Sequence, residues 1–195
     1  MAEVRDGGVN GVVDVAVLVG SLRKESLTRK IALAMKGMAP PSLALEIVEI
    51  RDLQMYDQDL ETENPPREWV VFRERIRRAD ALLFATPEYN RSIPGCLKNA
   101  VDVGSRPPGN SVFNAKPGAI VSVTPYGLGA FGANHHLRQA LVYVNVLTMA
   151  QPEAYISQAG ELVDENFRIT KEASREFFTK FLDAFAAWIE LTRKK

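Results

Sequence analysis

The sequence predicts an α/β domain in which a five-stranded parallel sheet is doubly wound, with helices on both faces. Three observations lead there. Five short runs rich in Val, Ile, Leu and Ala lack polar alternation, the pattern of strands covered on both sides. Segments with apolar residues at helical spacing separate them, and this alternation is how parallel sheets are built. No repeat and no second composition regime interrupts the 195 residues, a length suited to one core. The expected organisation is a flexible lead-in over residues 1–12 and a single domain over 13–195.

The elements follow in order. Asp14 to Gly20 is a β-branched run ending in glycine, the first strand. After a polar loop, Leu27, Ile31, Ala34, Met35 and Met38 mark a helix, and Leu43–Ile50 reads as the second strand. Residues 51–68 are acidic and proline-bearing and read as a solvated surface loop. Trp69–Arg78 is helical and Ala79–Thr86 a third strand. Pro94–Val103 is a helix with proline in its first turn, where a missing N–H costs nothing. Pro117–Thr124 is the fourth strand, followed by a glycine-rich turn over Tyr126–Gly132. A helix over Asn134–Leu147 carries Leu137, Leu141, Val144 and Leu147 on one face, and Pro152–Ile156 is the fifth strand. Glu172–Leu191 closes the chain with Phe177, Phe181, Phe185 and Trp188 as a core stripe.

Composition excludes several function classes. Twenty-four basic residues balance 24 acidic ones, which argues against bulk affinity for nucleic acid or an anionic membrane. A single cysteine, Cys96, and two adjacent histidines, His135 and His136, are too few for a metal centre or a disulfide framework. No apolar run reaches the roughly 20 residues of a membrane span, and the first residues lack a signal core. The expectation is a cytoplasmic protein without metal.

Ligands of open parallel sheets bind beyond the C-terminal strand ends, near the topological switch point. Three loops lie there. Gly20-Ser-Leu-Arg-Lys-Glu-Ser-Leu-Thr28 is neither a Walker A loop nor a dinucleotide fingerprint. Its hydroxyls at Ser21, Ser26 and Thr28, the fork of Arg23 and the next helix N-terminus suit a phosphate monoester. Pro87-Glu-Tyr-Asn-Arg-Ser-Ile-Pro94 offers an aromatic, an amide and a carboxylate, suited to a flat heterocycle read at its edge. Thr124–Gly132 lets backbone approach a ligand closely.

These loops, in this order, resemble the NADPH-dependent FMN reductase family of flavodoxin-like proteins, and within it the bacterial chromate and quinone reductase branch. The resemblance rests on Pro87-Glu-Tyr-Asn-Arg-Ser-Ile-Pro-Gly-Cys-Leu-Lys-Asn-Ala-Val-Asp102, on Gly20-Ser-Leu-Arg with Ser26, and on Phe131–Asn145. It implies a flavodoxin-like sandwich in which Ser21, Arg23, Ser26, Leu27 and Thr28 hold an FMN phosphate. Pro87, Glu88, Tyr89 and Asn90 would then line the isoalloxazine and ribityl chain. Ser122 and the turn of Thr124, Pro125, Tyr126 and Gly127 would close the other side. It further implies NADPH or NADH as hydride donor and a homodimer or homotetramer. Thr28 stands where the family usually has asparagine, and Val103 where tryptophan is common.

The function expected is a ping-pong NAD(P)H oxidoreductase acting on quinones, with chromate as a further acceptor and Arg106 as the group that meets it. Two rivals are a flavodoxin-type electron carrier and a nucleoside-processing transferase using Glu88 as nucleophile.

Overall fold

The computed structural model describes residues 11–193, so the lead-in over residues 1–12 lies for its greater part outside the described residues. The strands are β1 (Val13–Val19), β2 (Leu43–Val48), β3 (Ala81–Thr86), β4 (Pro117–Val123), β5 (Leu147–Thr148) and β6 (Ala154–Ile156). The helices are α1 (Leu27–Met38), α2 (Arg67–Arg78), α3 (Gly95–Gly104), α4 (Phe131–Tyr143) and α5 (Glu172–Arg193). All ladders are parallel, in the order β2-β1-β3-β4-β5, the flavodoxin-like arrangement.

The sheet has six strands where five were expected. β5 pairs with the start of β4 through Pro117 and Gly118, and β6 pairs with its end through Val121, Ser122 and Val123. They occupy one edge position in two pieces. Pro152 lies between them and has no N–H for the ladder, so pairing resumes only at Ala154.

Strand side chains alternate between two cores. Val15, Val17, Val19, Leu83 and Val121 face α1 and α5, where Ile31, Met35, Phe178, Phe181 and Phe185 are buried. Leu18, Leu82, Phe84 and Ile120 face α2, α3 and α4, against Trp69, Phe72, Leu97 and Leu137. Each such side chain contributes about 1.5–3 kcal/mol over the exposed state, which fixes the register of the sheet and so the loops at its end. On α5 it is Phe178, with Phe181 and Phe185, that is fully buried, while Phe177 and Trp188 are only partly covered.

Two readings of the chain need correction. The helix expected to reach Leu147 ends at Tyr143, because Asn145 turns to a left-handed φ of 57°. The N–H of Val146 then donates to the Leu141 carbonyl at 3.0 Å, a Schellman-type ending that frees Leu147 for β5. Residues 51–68 are not simply a solvated loop. Asn99 accepts the Tyr56 N–H at 2.8 Å and donates to the carbonyls of Leu53 and Gln54. The Trp69 indole donates to Gln54, and Tyr56 stacks on that ring. Arg73 grips Glu61 through two bonds of 2.8 and 2.7 Å while its Nε donates to the Val103 carbonyl. The acidic segment is thereby folded onto α2 and α3.

Candidate functional site

The strand order places β1, β3 and β4 side by side, so the three loops meet at one end of the sheet. The chain leaves β1 and β3 toward opposite faces, which opens a crevice between them. Gly20 keeps the first two loops in contact: a Cβ there would lie 3.0 Å from Leu97 Cδ2 and 3.4 Å from Pro87 Cδ.

In the first loop Ser26 is the N-cap of α1, its Oγ accepting the Arg29 N–H at 3.1 Å. That hydroxyl keeps its own proton for a further acceptor. The N–H groups of Leu27 and Thr28 have no acceptor among the described residues, as the first turn of a helix dictates. Ser21 and Thr28 are 9% and 2% exposed, and their hydroxyls also lack a partner there. No fully covered side-chain polar atom of the described residues is unpaired, so these hydroxyls keep some access to solvent. The first turn of α1 has no acidic residue, and Glu25 is held by Lys30 at 2.6 Å. The Lys30 hydrogen bond keeps the Glu25 carboxyl below its ordinary pKa. Unpaired donors around an uncompensated helix N-terminus fit a phosphate monoester. Leu27 offers only backbone, since its side chain packs into the core.

In the second loop Tyr89 and Ser92 exchange backbone hydrogen bonds of 2.9 Å, and Asn90 and Arg91 have φ of 51° and 63°. This is a two-residue turn with both central residues left-handed. It projects Tyr89 and Asn90, both exposed, at the end of β3. Glu88 turns the other way. Its side chain is 14% exposed, with Oε2 accepting the Ala133 N–H and Oε1 the Arg91 guanidinium, each at 3.1 Å. His136 Nδ1 meets Ser92 Oγ at 3.0 Å. The loop is thus stitched to the first turns of α4.

The third loop is built on three successive left-handed residues, Leu128, Gly129 and Ala130. Only glycine fits the middle position, where a Cβ would lie 2.5 Å from the Tyr155 backbone. Thr124 Oγ1 accepts the Tyr126 N–H, and Tyr126 stands 78% exposed. Pro125 and Gly127 are exposed beside it.

Two of the expected contact residues are engaged within the protein itself. Ser122 is 0% exposed, donating to the Gly129 carbonyl at 2.6 Å and accepting from Asn134 at 3.2 Å. It supports the turn from below. Glu88, with both carboxylate oxygens engaged and its side chain against α4, lines the crevice only through its backbone and is unsuited to act as a nucleophile. Arg106 lies beyond the C-terminus of α3, about 15 Å along the axis from Gly95, with its guanidinium over the Tyr56 ring. It does not join the loops of its own chain.

Asn134 and His136 escaped the sequence reading because their partners, Ser122 and Ser92, are distant in the chain. A segment of β2's exit was also missed: Arg51 donates to the Leu22 carbonyl, and Glu49 binds Arg29 bidentately. Both tie the first loop to the chain after β2.

Known proteins are similar to this chain in sequence and in fold. The sequence model of the family described as NADPH-dependent FMN reductase matches residues 13–161. A quinone reductase of Pseudomonas putida is 56% identical over 182 residues, 93% of this chain and 97% of that protein. A 2-hydroxy-1,4-benzoquinone reductase of a Burkholderia species is 41% identical over 175 residues, 90% and 95% of the two chains. The structure of FerB, a flavoenzyme NAD(P)H:(acceptor) oxidoreductase of Paracoccus denitrificans, superposes with a TM-score of 0.89 at 39% identity. That match covers 93% of this chain and 99% of FerB.

Proposed function

The chain belongs to the NADPH-dependent FMN reductase family, and on that premise we propose that it is an FMN-dependent NAD(P)H:quinone oxidoreductase. The observation that carries the reading is the loop into α1, where the Ser21 and Thr28 hydroxyls and the Leu27 and Thr28 N–H groups have no partner among the described residues. Ser21, Arg23, Ser26, Leu27 and Thr28 hold the phosphate. Pro87, Tyr89 and Asn90, with the Thr124–Gly127 turn, flank the ring system, and Ser122 and the Glu88 side chain hold these walls in place. When bound, the flavin supplies two-electron redox chemistry, so the protein needs no acid or base of its own.

What the chain contributes is binding and orientation. Tyr89 and Tyr126 are exposed on the two turns, and in this reading the crevice they flank is open to solvent on one side. Donor and acceptor then use one opening in turn, a ping-pong order. Flat neutral quinones suit such an opening, with chromate as a further acceptor. Arg106 serves an anionic acceptor only from across a subunit contact, so this assignment goes with a homodimer or homotetramer. A single domain over residues 13–195 and a cytoplasmic setting belong to the same proposal. No described helix is long and apolar enough to cross a membrane.

The test is direct. The purified protein is expected to be yellow, with a flavin absorption spectrum, and to oxidise NAD(P)H when a benzoquinone is supplied. A colourless protein would remove the FMN reading. A flavin-loaded protein without turnover would leave the electron carrier.

A further inference from the structure

A cavity of about 510 Å³ lies between α1 and the segment that leads into α5. No residue of the Gly20–Thr28, Pro87–Pro94 or Thr124–Gly132 loops lines it, so the flavin assignment leaves it unused. Its volume is within the roughly 300–1,000 Å³ of small-molecule sites. Leu33, Ala34 and Met38 of α1, with Ile169, supply an apolar floor. Gly37 stands among them, one residue before the end of α1 and so not at the position where a left-handed glycine ends a helix. Its φ is not positive, and a Cβ there would meet nothing within 4 Å. Glycine lowers helix propensity, and no turn or close approach requires it here. What the missing side chain does is leave the cavity unfilled.

The opposite wall is a tight turn. Asp164 Oδ1 accepts the N–H groups of Asn166 and Arg168 at 2.9 and 2.8 Å, and the Asp164 N–H donates to the Arg168 carbonyl at 3.0 Å. The turn holds Phe167 at a φ of 58° and leaves it 41% exposed against the cavity. The charge on this wall is of one sign, since no carboxylate lines the cavity. Arg175 is engaged by Glu172 and the Ile169 carbonyl. The Arg168 side chain makes no hydrogen bond or ion pair among the described residues, so its five N–H donors stay available. The adjoining hollow toward Lys24 differs, because Glu25 and Glu165 stand among its walls.

We infer that this cavity is a binding site for a small amphipathic organic acid, separate from the flavin crevice. The apolar body of the ligand lies on Leu33, Met38 and Phe167, and its carboxylate meets the fork of Arg168. A planar guanidinium matches a carboxylate with two parallel hydrogen bonds. One free fork beside an apolar floor selects a ligand with a single anionic head. An aromatic acid of one or two rings fits both the volume and the exposed face of Phe167.

Calorimetry on the purified protein with its flavin in place tests this, with 1-naphthoate as the acid and naphthalene-1-carboxamide as its neutral counterpart. The acid is expected to bind about tenfold more tightly than the amide. Arg168→Gln should remove that advantage and leave the amide unchanged, whereas Gly37→Leu, which fills the cavity, should weaken both by about tenfold. Flavin content and quinone turnover should stay within about twofold of the wild type in both variants. Absence of saturable binding, or equal affinity for acid and amide, overturns the inference. So does binding that a benzoquinone displaces or that neither variant moves, which would put the acid in the flavin crevice. A change of oligomeric state in Gly37→Leu, read by sedimentation, overturns it too, because the groove would then be a contact between copies. Should Gly37→Leu fail to fold, Arg168→Gln, an exposed position, decides alone. A protein that binds the acid here yet reduces no acceptor would fail the proposed function and keep this site.

Discussion

Glu88 Oε2 accepts the backbone N–H of Ala133 at 3.1 Å, which joins the loop after β3 to the first turn of α4. The two segments are 45 residues apart in sequence. A negative side chain at a helix N-terminus is favourable for its hydrogen bond and for the helix dipole, and here it also fixes the distance between two walls of the site. Space at the joint is tight, since a Cβ on Gly132 would lie 2.9 Å from the Arg91 carbonyl and 3.0 Å from Glu88 Oε2.

Glu88→Ala is therefore expected to lower stability by about 1–2 kcal/mol, the cost of a lost helix cap, and to loosen flavin retention. Glu88→Gln keeps an acceptor for Ala133 and should lose less on both counts. Chemical denaturation and flavin content of the purified variants check this. A nucleophilic Glu88 would instead lose all activity on either change with stability intact.

The segment before α2 makes a second case. Arg73 and Glu61 form a bidentate pair with side chains 7% and 14% exposed. Removing one partner of a buried pair leaves an uncompensated charge, at about 3–5 kcal/mol. Glu61→Ala should fall in that range by denaturant midpoint, and Arg73→Met with Glu61→Leu together should recover much of it. A loss below about 1 kcal/mol, as for a surface pair, would mean the segment is solvated after all.

That segment also marks where the sequence stops being legible. Strand runs, helix stripes and the order of the loops follow from local periodicity and from glycine and proline, and those elements stand within a few residues of expectation. The folding of residues 53–61 depends on Asn99, Arg73 and Trp69, and nothing local signals such pairings. The division of the site fails in the same way. Ser21, Ser26 and Thr28 lie in the loop that enters α1 and its first turn, a placement local sequence gives, whereas the side chains of Ser122 and Glu88 are engaged with partners set by α4.

Tyr155 gives a pH prediction. Burial, with the carboxylate of Glu153 beside it, pushes its phenol up to about 12, and its OH lies 3.0 Å from His135 Nε2. The unfolded phenol titrates near 10, so between about 10 and 12 the folded state holds more protons than the unfolded one. This contribution is fully present below pH 10 and is lost as pH rises toward 12. Tyr155→Phe should therefore show a shallower fall of stability over that window than the wild type. Parallel curves would mean that Tyr155 titrates normally.

The phosphate cradle yields the last prediction. Arg23→Ala with Ser26→Ala removes a cationic fork and a hydroxyl donor. Charge-assisted hydrogen bonds are worth about 1.5–3 kcal/mol each, so losing both should lower FMN affinity by roughly 100- to 10,000-fold. Riboflavin, which lacks the phosphate, touches neither group and serves as the internal control, since a general loss of fold would weaken both ligands together. Fluorescence titration of the apoprotein with each flavin reads the difference. Ser26→Ala also removes the N-cap of α1, at about 1 kcal/mol of stability, so Arg23→Ala alone isolates the charge. A drop for FMN with riboflavin unchanged fixes the phosphate at this loop, and equal drops for both would move it elsewhere.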